Sequence, residues 1–400
     1  MEPSRNIPRT VWVLGSVSLF MDMSSELIHA VLPVYMTAVL GLSVLAVGIV
    51  EGIAEATASI SKVLSGYVSD RFARRKPLVL LGYGLSALTK PMFPLADGAI
   101  GVVAARFADR LGKGIRGAPR DALVADVTPP GLRDAAYGLR QALDTVGAFV
   151  GPLLAMLFLW LWADDLRAVL WVAVVPAFVA VALIVAGVEE PDDTAQARDR
   201  RDPIRLASVA ALPPAFWRLI VLAALFALAR VPEAFLVLRA QEIALPVLWI
   251  PMVMIAMSAV YSVAAYPAGV LAARFGRRAL LAASLATLVA AQGVLAAWPG
   301  SLGLWAGAGL WGLHMGLSQG GLSAAVAAVA PPASRATAFG VFHFVTGVFQ
   351  LASGAAAGWL WLRFGSAIAF GSGAAWALLA LAVLATALPR AGAAEPRGRP

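Results

Sequence analysis

The chain has 400 residues, of which 60% are hydrophobic and 14% charged, with a formal net charge of +8 at pH 7 and no cysteine. Soluble domains carry about a quarter charged residues, so this composition excludes an ordinary water-soluble globule and makes the bilayer the implied solvent. The lack of cysteine excludes disulfides, thiolate metal sites and palmitoyl anchors together.

The apolar residues come in blocks of about twenty, the length an α-helix needs to cross roughly 30 Å of hydrocarbon. Twelve spans are predicted, over 11–38, 45–69, 77–97, 99–127, 136–160, 168–188, 216–240, 247–273, 279–298, 302–329, 337–362 and 366–388. The nearly continuous apolar runs 168–188 and 279–298 lack the alternation of a transmembrane β-barrel. Asp22 and Glu26 interrupt the first run and no small-residue cleavage pattern follows, so it reads as a retained helix and not as a signal peptide.

Ionisable groups inside spans are costly and mark the helices that face water or each other. On helix one, Asp22, Glu26 and His29 share a face, because their spacings are four and three. Helix two repeats the pattern with Glu51, Glu55 and Lys62, and helix three has only Lys90. On helix four, Arg106, Asp109, Arg110, Lys113, Arg120 and Asp121 fall within about 120° of arc, with Arg116 just outside it. Helix five adds Arg140 and Asp144, then Gly147, Gly151 and Pro152; helices six, nine and twelve have no interior charge. The second half offers less: Arg230 and Glu233 around Pro232 in helix seven, His314 and Gln319 in helix ten, and His343 and Gln350 in helix eleven. Any single pair, such as Arg140 with Asp144, can be a lock between helices, but a set this large is too expensive in desolvation to be packing alone. A solvated cavity lined mostly by the first half is the better account, with Pro232 and Pro152 as bending points.

Segment 189–215 is the only long polar stretch and divides the chain into an N-terminal bundle (1–188) and a C-terminal bundle (216–389), followed by a tail (390–400). The halves repeat. Gly66–Arg75 reads GYVSDRFARR and Gly269–Arg278 reads GVLAARFGRR, 203 residues on; Pro129–Gly138 reads PPGLRDAAYG and Pro331–Gly340 reads PPASRATAFG, 202 residues on. One set of alternate loops, with both end segments and the linker, holds eighteen Lys and Arg, whereas the opposite loops hold only Arg167, Arg239 and Arg363. This positive-inside asymmetry explains the net charge without nucleic acid and places both termini in the cytoplasm. The matched segments lie on one side of the membrane, so the second bundle is a parallel repeat of the first.

The segment with Gly66, Asp70, Arg71, Arg74 and Arg75 between helices two and three resembles the signature loop of the major facilitator superfamily, and Gly269–Arg278 stands where that family keeps its second copy. Arg110 and Gly114 resemble the family's helix-four motif, with Lys113 where Gln is usual. Gly147–Ala155, reading GAFVGPLLA, resembles the helix-five motif of its antiporters. The resemblance implies an all-α membrane protein with twelve transmembrane helices in two six-helix bundles, with helices three, six, nine and twelve outermost. It also implies a gate at Gly66, Asp70, Arg71, Arg74, Gly147, Gly151 and Pro152.

No phosphate-binding G-x-x-x-x-G-K-[ST] sequence occurs and no soluble domain is large enough for an enzyme, which leaves secondary transport. The expected function is proton-coupled export of a small organic solute with a negative or zwitterionic group, across a bacterial inner membrane, by a monomer without a cofactor or bound metal. The candidate substrate-binding and coupling residues are Asp22, Glu26, His29, Glu51, Glu55, Asp109, Arg110, Lys113, Arg116, Arg140, Asp144, Glu233 and His314. Alternatives are uptake of an organic anion by proton symport, export of a metal ion or chelate through Asp22, Glu26 and His29, and a non-transporting membrane sensor or scaffold.

Overall fold

A computed structural model describes residues 7–71, 75–189, 209, 212–318, 321–331 and 334–387. Arg74, Gln319, most of the linker and the tail lie outside these residues, and of Asp70 and Arg71 only the backbone, at the end of helix two, is described. Among the described residues every regular element is helical. Ten helical spans are long and apolar enough to cross a bilayer. The two other predicted spans form helices as well, and each has a reason for low hydropathy. Helix four (Ala99–Val127) carries the charged face, and helix ten (Ser301–Ser318 and Gly321–Val329) is diluted by Gly303, Gly307, Gly309, Gly312, Gly316 and His314.

The chain divides into two compact units, Met1–Pro203 with Glu233–Ile255, and Ile204–Pro232 with Ala256–Pro400. In the first, helix one (Arg9–Val34) packs along helix five (Arg133–Leu161), and helix four packs on helices two (Val44–Arg71) and three (Lys76–Thr89). Helix six is broken at Ala173 into Leu166–Val172 and Val174–Gly187, and Ser24 of helix one donates to the Ala173 carbonyl there at 2.7 Å. Helix one closes on a π-helical turn, Tyr35–Val39, after Pro33; Thr37 Oγ1 lies 2.8 Å from Oε1 of Gln241, on the outer piece of helix seven.

The second unit repeats these pairings, with helices seven, nine, eleven and twelve standing for one, three, five and six. The repeat holds at the level of single contacts. A Cβ on Gly114 of helix four would meet Ser61 of helix two at 2.4 Å, and one on Gly316 of helix ten would meet Ala264 of helix eight at 2.7 Å. The two contacts are related by offsets of 202 and 203, the same as in the sequence motifs. Small residues at such crossings let helix backbones approach where lipid supplies no hydrophobic drive.

Helix seven runs Pro214–Ala229 and resumes as Ala234–Glu242. Pro232 has no N–H to donate, so the carbonyls before it need other partners inside the membrane. Ser353 of helix eleven lies 2.9 Å from the Leu228 carbonyl and 3.2 Å from that of Arg230, and Gln292 Nε2 of helix nine donates to the Ala229 carbonyl at 2.8 Å. The break predicted at Pro232 is therefore held by polar groups on two neighbouring helices. Gln292→Leu and Ser353→Ala are each expected to lower stability by about 1 kcal/mol, the usual worth of such a bond in a membrane protein. Thermal unfolding in detergent measures this, and unchanged midpoints in both variants mean that the break stands without them.

Candidate functional site

The charged residues of the first unit gather around helix four, and most are paired. Arg106 Nη2 meets Glu51 Oε2 of helix two at 2.7 Å, and both side chains are almost completely buried. Lys90 of helix three bonds Asp109 Oδ1 at 2.9 Å and Ser25 Oγ of helix one at 3.0 Å. Arg116 donates to Ser86 Oγ at 2.6 Å, with its guanidinium 4.5 Å from the centre of the Tyr83 ring. Arg120 reaches Ser18 Oγ at 3.0 Å and Asp121 Oδ1 at 3.1 Å, and Arg140 bonds Asp144 at 2.5 Å and lies 3.7 Å from Asp121.

These bonds form a regular polar seam. Ser18 and Ser25 are seven residues apart on helix one, while Tyr83, Ser86 and Lys90 are spaced three and four on helix three. Each set therefore occupies one helix face, turned toward Asp109, Arg116 and Arg120. Three of the helix-four charges thus point at helices one and three. The hydroxyls of this seam were not singled out in the sequence; their heptad-like spacing was the available signal.

The remaining residues gather on the side toward Asp22 and Glu26. Glu26 Oε2 lies 3.5 Å from His29 Nδ1. The charges that act on Asp22 are Asp144, Lys113, Arg116 and Glu26, and those that act on Lys113 are Arg110, Glu55, Asp22 and Glu26. Like Arg116, which is bonded to Ser86 instead, Arg110 has no carboxylate partner among the described residues. It is 4% exposed, its Nε has no hydrogen-bond partner, and among the described residues no carboxylate lies within ion-pair distance of it. Glu55, Asp109, Glu51 and Glu26 are the acids whose charge favours it. A buried guanidinium without a carboxylate partner is costly in desolvation, and an anion bound there would offset that cost.

Helix five sets the position of the helix-one acids. A Cβ on Gly147 would lie 2.4 Å from the Leu19 carbonyl and 3.2 Å from Asp22 Cβ, and one on Gly151 would lie 2.6 Å from the Met23 carbonyl and 3.1 Å from Glu26 Cβ. The two glycines bring helix five onto the backbone of helix one directly behind Asp22 and Glu26. Glu233 lies on the residues joining the two pieces of helix seven. His314 is fully buried, with Nδ1 2.9 Å from the Ser284 carbonyl and its ring stacked on Phe226. Its repeat counterpart, 202 residues earlier, is Gly112, which touches Gly82 as His314 touches Ser284, so His314 fills a helix crossing. Among the described residues no three His, Asp or Glu side chains come together as a metal site, Asp22, Glu26 and His29 included.

Gly147→Ala and Gly151→Ala are each expected to push helix five away from Asp22 and Glu26 and to lower stability by about 1–3 kcal/mol, the range for overpacking a tight contact. Gly138→Ala, where a Cβ meets open space, is the control. Thermal unfolding of the three variants checks this, and equal midpoints would show that the helix-one contact yields freely.

Residues 14–238 match the family model described as Major Facilitator Superfamily. An uncharacterised MFS-type transporter of Methanocaldococcus jannaschii is 31% identical over 385 residues, covering 93% of this chain and 95% of that one. A multidrug resistance protein, MdtH, of Proteus mirabilis is 31% identical over 133 residues, or 33% of this chain and 32% of that protein. Among solved structures, the nucleoside transporter NupG superposes with a TM-score of 0.76 at 14% identity, covering 95% of this chain and 99% of that one. Twelve helical spans, a sequence and contact repeat, and these matches make the chain a multi-pass membrane transporter, not an enzyme, that belongs to the major facilitator superfamily.

Proposed function

We propose that this transporter exports a small organic solute with a negative or zwitterionic group in exchange for protons, by alternating access. We place it in a bacterial inner membrane, as a monomer with both termini cytoplasmic and with the linker at 189–215. One observation carries the reading: among the described residues Arg110 is buried without an ion-pair partner, while Arg106, Lys90, Arg120 and Arg140 are each paired with a carboxylate and Arg116 is bonded to Ser86. Arg is suited to grip carboxylate or phosphate through two parallel hydrogen bonds. Export is favoured by the helix-five motif GAFVGPLLA and by the partial likeness to a multidrug resistance protein.

Coupling follows from the charges that face the site. Asp22, Glu26 and Glu55 are set against Arg110 and Lys113, with one negative charge in excess when every group is ionised. Protonating one of Asp22 and Glu26 balances this set and protonating both leaves net positive charge beside Arg110, so anion affinity rises in step with proton binding; the reverse holds as pH rises. Glu26 is the first proton carrier in this reading and Asp22 the second. Asp70, with Arg71, Arg74 and Gly66, closes the cytoplasmic end, and its repeat counterpart is Ala273.

A screen of organic anions, cations and divalent metals in proteoliposomes with an imposed pH gradient tests the whole reading. Arg110→Lys is expected to weaken anion binding almost as much as Arg110→Ala, about tenfold or more, since the loss is geometric as well as electrostatic. Transport of permanent cations alone, intact in Arg110→Ala, refutes the anion site. Glu26→Gln or Asp22→Asn is expected to abolish gradient-driven accumulation while leaving counterflow exchange. Full pH-driven transport in both moves the carrier elsewhere, with Asp109 and Asp144 next in line.

A further inference from the structure

We propose that Lys90 is a positioning residue for the anion site: by holding Asp109 in a buried ion pair, it keeps the Arg110 guanidinium open to substrate. The inference rests on the reading of Arg110 as the anion-binding group and deepens it.

Asp109 sits among four cations, Lys90, Arg110, Arg106 and Arg116. Among the described residues only Lys90 is within ion-pair distance, at 2.9 Å, and Lys90 is itself fixed by Ser25 at 3.0 Å. Of the other three, Arg106 is held by Glu51 at 2.7 Å and Arg116 by Ser86 and the Tyr83 ring. Arg110 is the cation left over, and it is the residue next to Asp109 in sequence. Without Lys90, a buried carboxylate with no counterion would draw on the one uncommitted guanidinium beside it, because an unpaired buried charge is far costlier than a rearranged pair. The anion site would then be filled from within the protein.

The second unit builds the same corner without charge. At the repeat offset of 202, Lys90 corresponds to Gln292, Asp109 to Trp311 and Arg110 to Gly312. Gln292 still crosses from helix nine to helix seven, as Lys90 crosses from helix three to helix one. The fold therefore needs a polar bridge at this position but not an ion pair. The charged pair occurs in the unit that has an arginine next to it, and the neutral bridge from Gln292 to the Ala229 carbonyl in the unit that has a glycine.

Benzoate serves as the anionic probe and benzamide as its neutral isostere, with binding read from thermal stabilisation of the purified full-length chain at fixed pH. The wild type is expected to prefer benzoate, and Arg110→Ala to lose that preference. Lys90→Met should weaken benzoate binding about tenfold with benzamide unchanged, while Lys90→Arg keeps benzoate within about threefold. A purely structural role would lower stability without changing the benzoate-to-benzamide ratio. If Lys90→Met does not fold, the comparison passes to Asp109→Asn against Lys90→Met/Asp109→Asn. With no carboxylate to capture Arg110, both should bind benzoate alike, and a tenfold loss in the double variant overturns the proposal. Benzoate preference intact in a folded Lys90→Met overturns the role of Lys90 alone. No preference in the wild type, or the same preference in Arg110→Ala, overturns the anion site and the role of Lys90 with it.

Discussion

The ion pair between Lys90 and Asp109, with Ser25 as its third member, ties helices one, three and four together at a depth where an unpaired charge has no water to turn to. In hydrocarbon a charge is stable only against an opposite charge and a full set of hydrogen bonds, so each buried cation dictates what must face it. Glu51 opposite Arg106, the hydroxyls of Ser86 and Ser18 opposite Arg116 and Arg120, and Asp144 opposite Arg140 all follow from this constraint. It fixes how helix four is turned about its axis. One set of its charges is locked toward helices one, two and three, and Arg110 and Lys113 are acted on by the acids of helix one and Glu55.

The two units show what the fold requires and what the function adds. Both build their helix crossings from small residues at repeat-related positions, Gly114 on Ser61 and Gly316 on Ala264. Both send a long polar side chain from an outer helix inward, Lys90 in one and Gln292 in the other. They differ in charge. Where the first unit has Asp109 and Arg110, the second has Trp311 and Gly312, and its polar groups serve the backbone of a broken helix seven. The second unit thus supplies a bend, and the first supplies the electrostatic field. A repeat inherited as one packing scheme can diverge in this way because the contacts that hold the helices are small-residue contacts and do not depend on charge.

Helix five links the two requirements. Gly147 and Gly151 permit a backbone approach to helix one that any side chain would prevent, and they do so at the turns that carry Asp22 and Glu26. Pro152, inside helix five, is the residue after Gly151, at the turn that lies against Glu26. The motif GAFVGPLLA then has a physical content in this chain: it sets the distance between helix five and a row of acids on helix one.

Span number, the repeat and the family were legible in the sequence, since they depend on hydrophobic length, loop charge and motif spacing, which are one-dimensional properties. The break at Pro232 was legible for the same reason, because proline lacks a donor wherever it stands. The sequence also placed the helix-four charges on a common arc, but an arc of about 120° on a helix faces more than one neighbour. Only the tertiary structure decided that Asp109 turns to Lys90 and Arg106 to Glu51, leaving Arg110 without an ion pair. Lys90 appeared in the sequence as a stray charge on an outer helix, and His314 as a candidate coupling group. Their partners, Asp109 and Ser25 for the one and Ser284 and Phe226 for the other, come from helices distant in the chain. Which charge pairs with which is set by the rotation of packed helices, and no local spacing encodes that rotation.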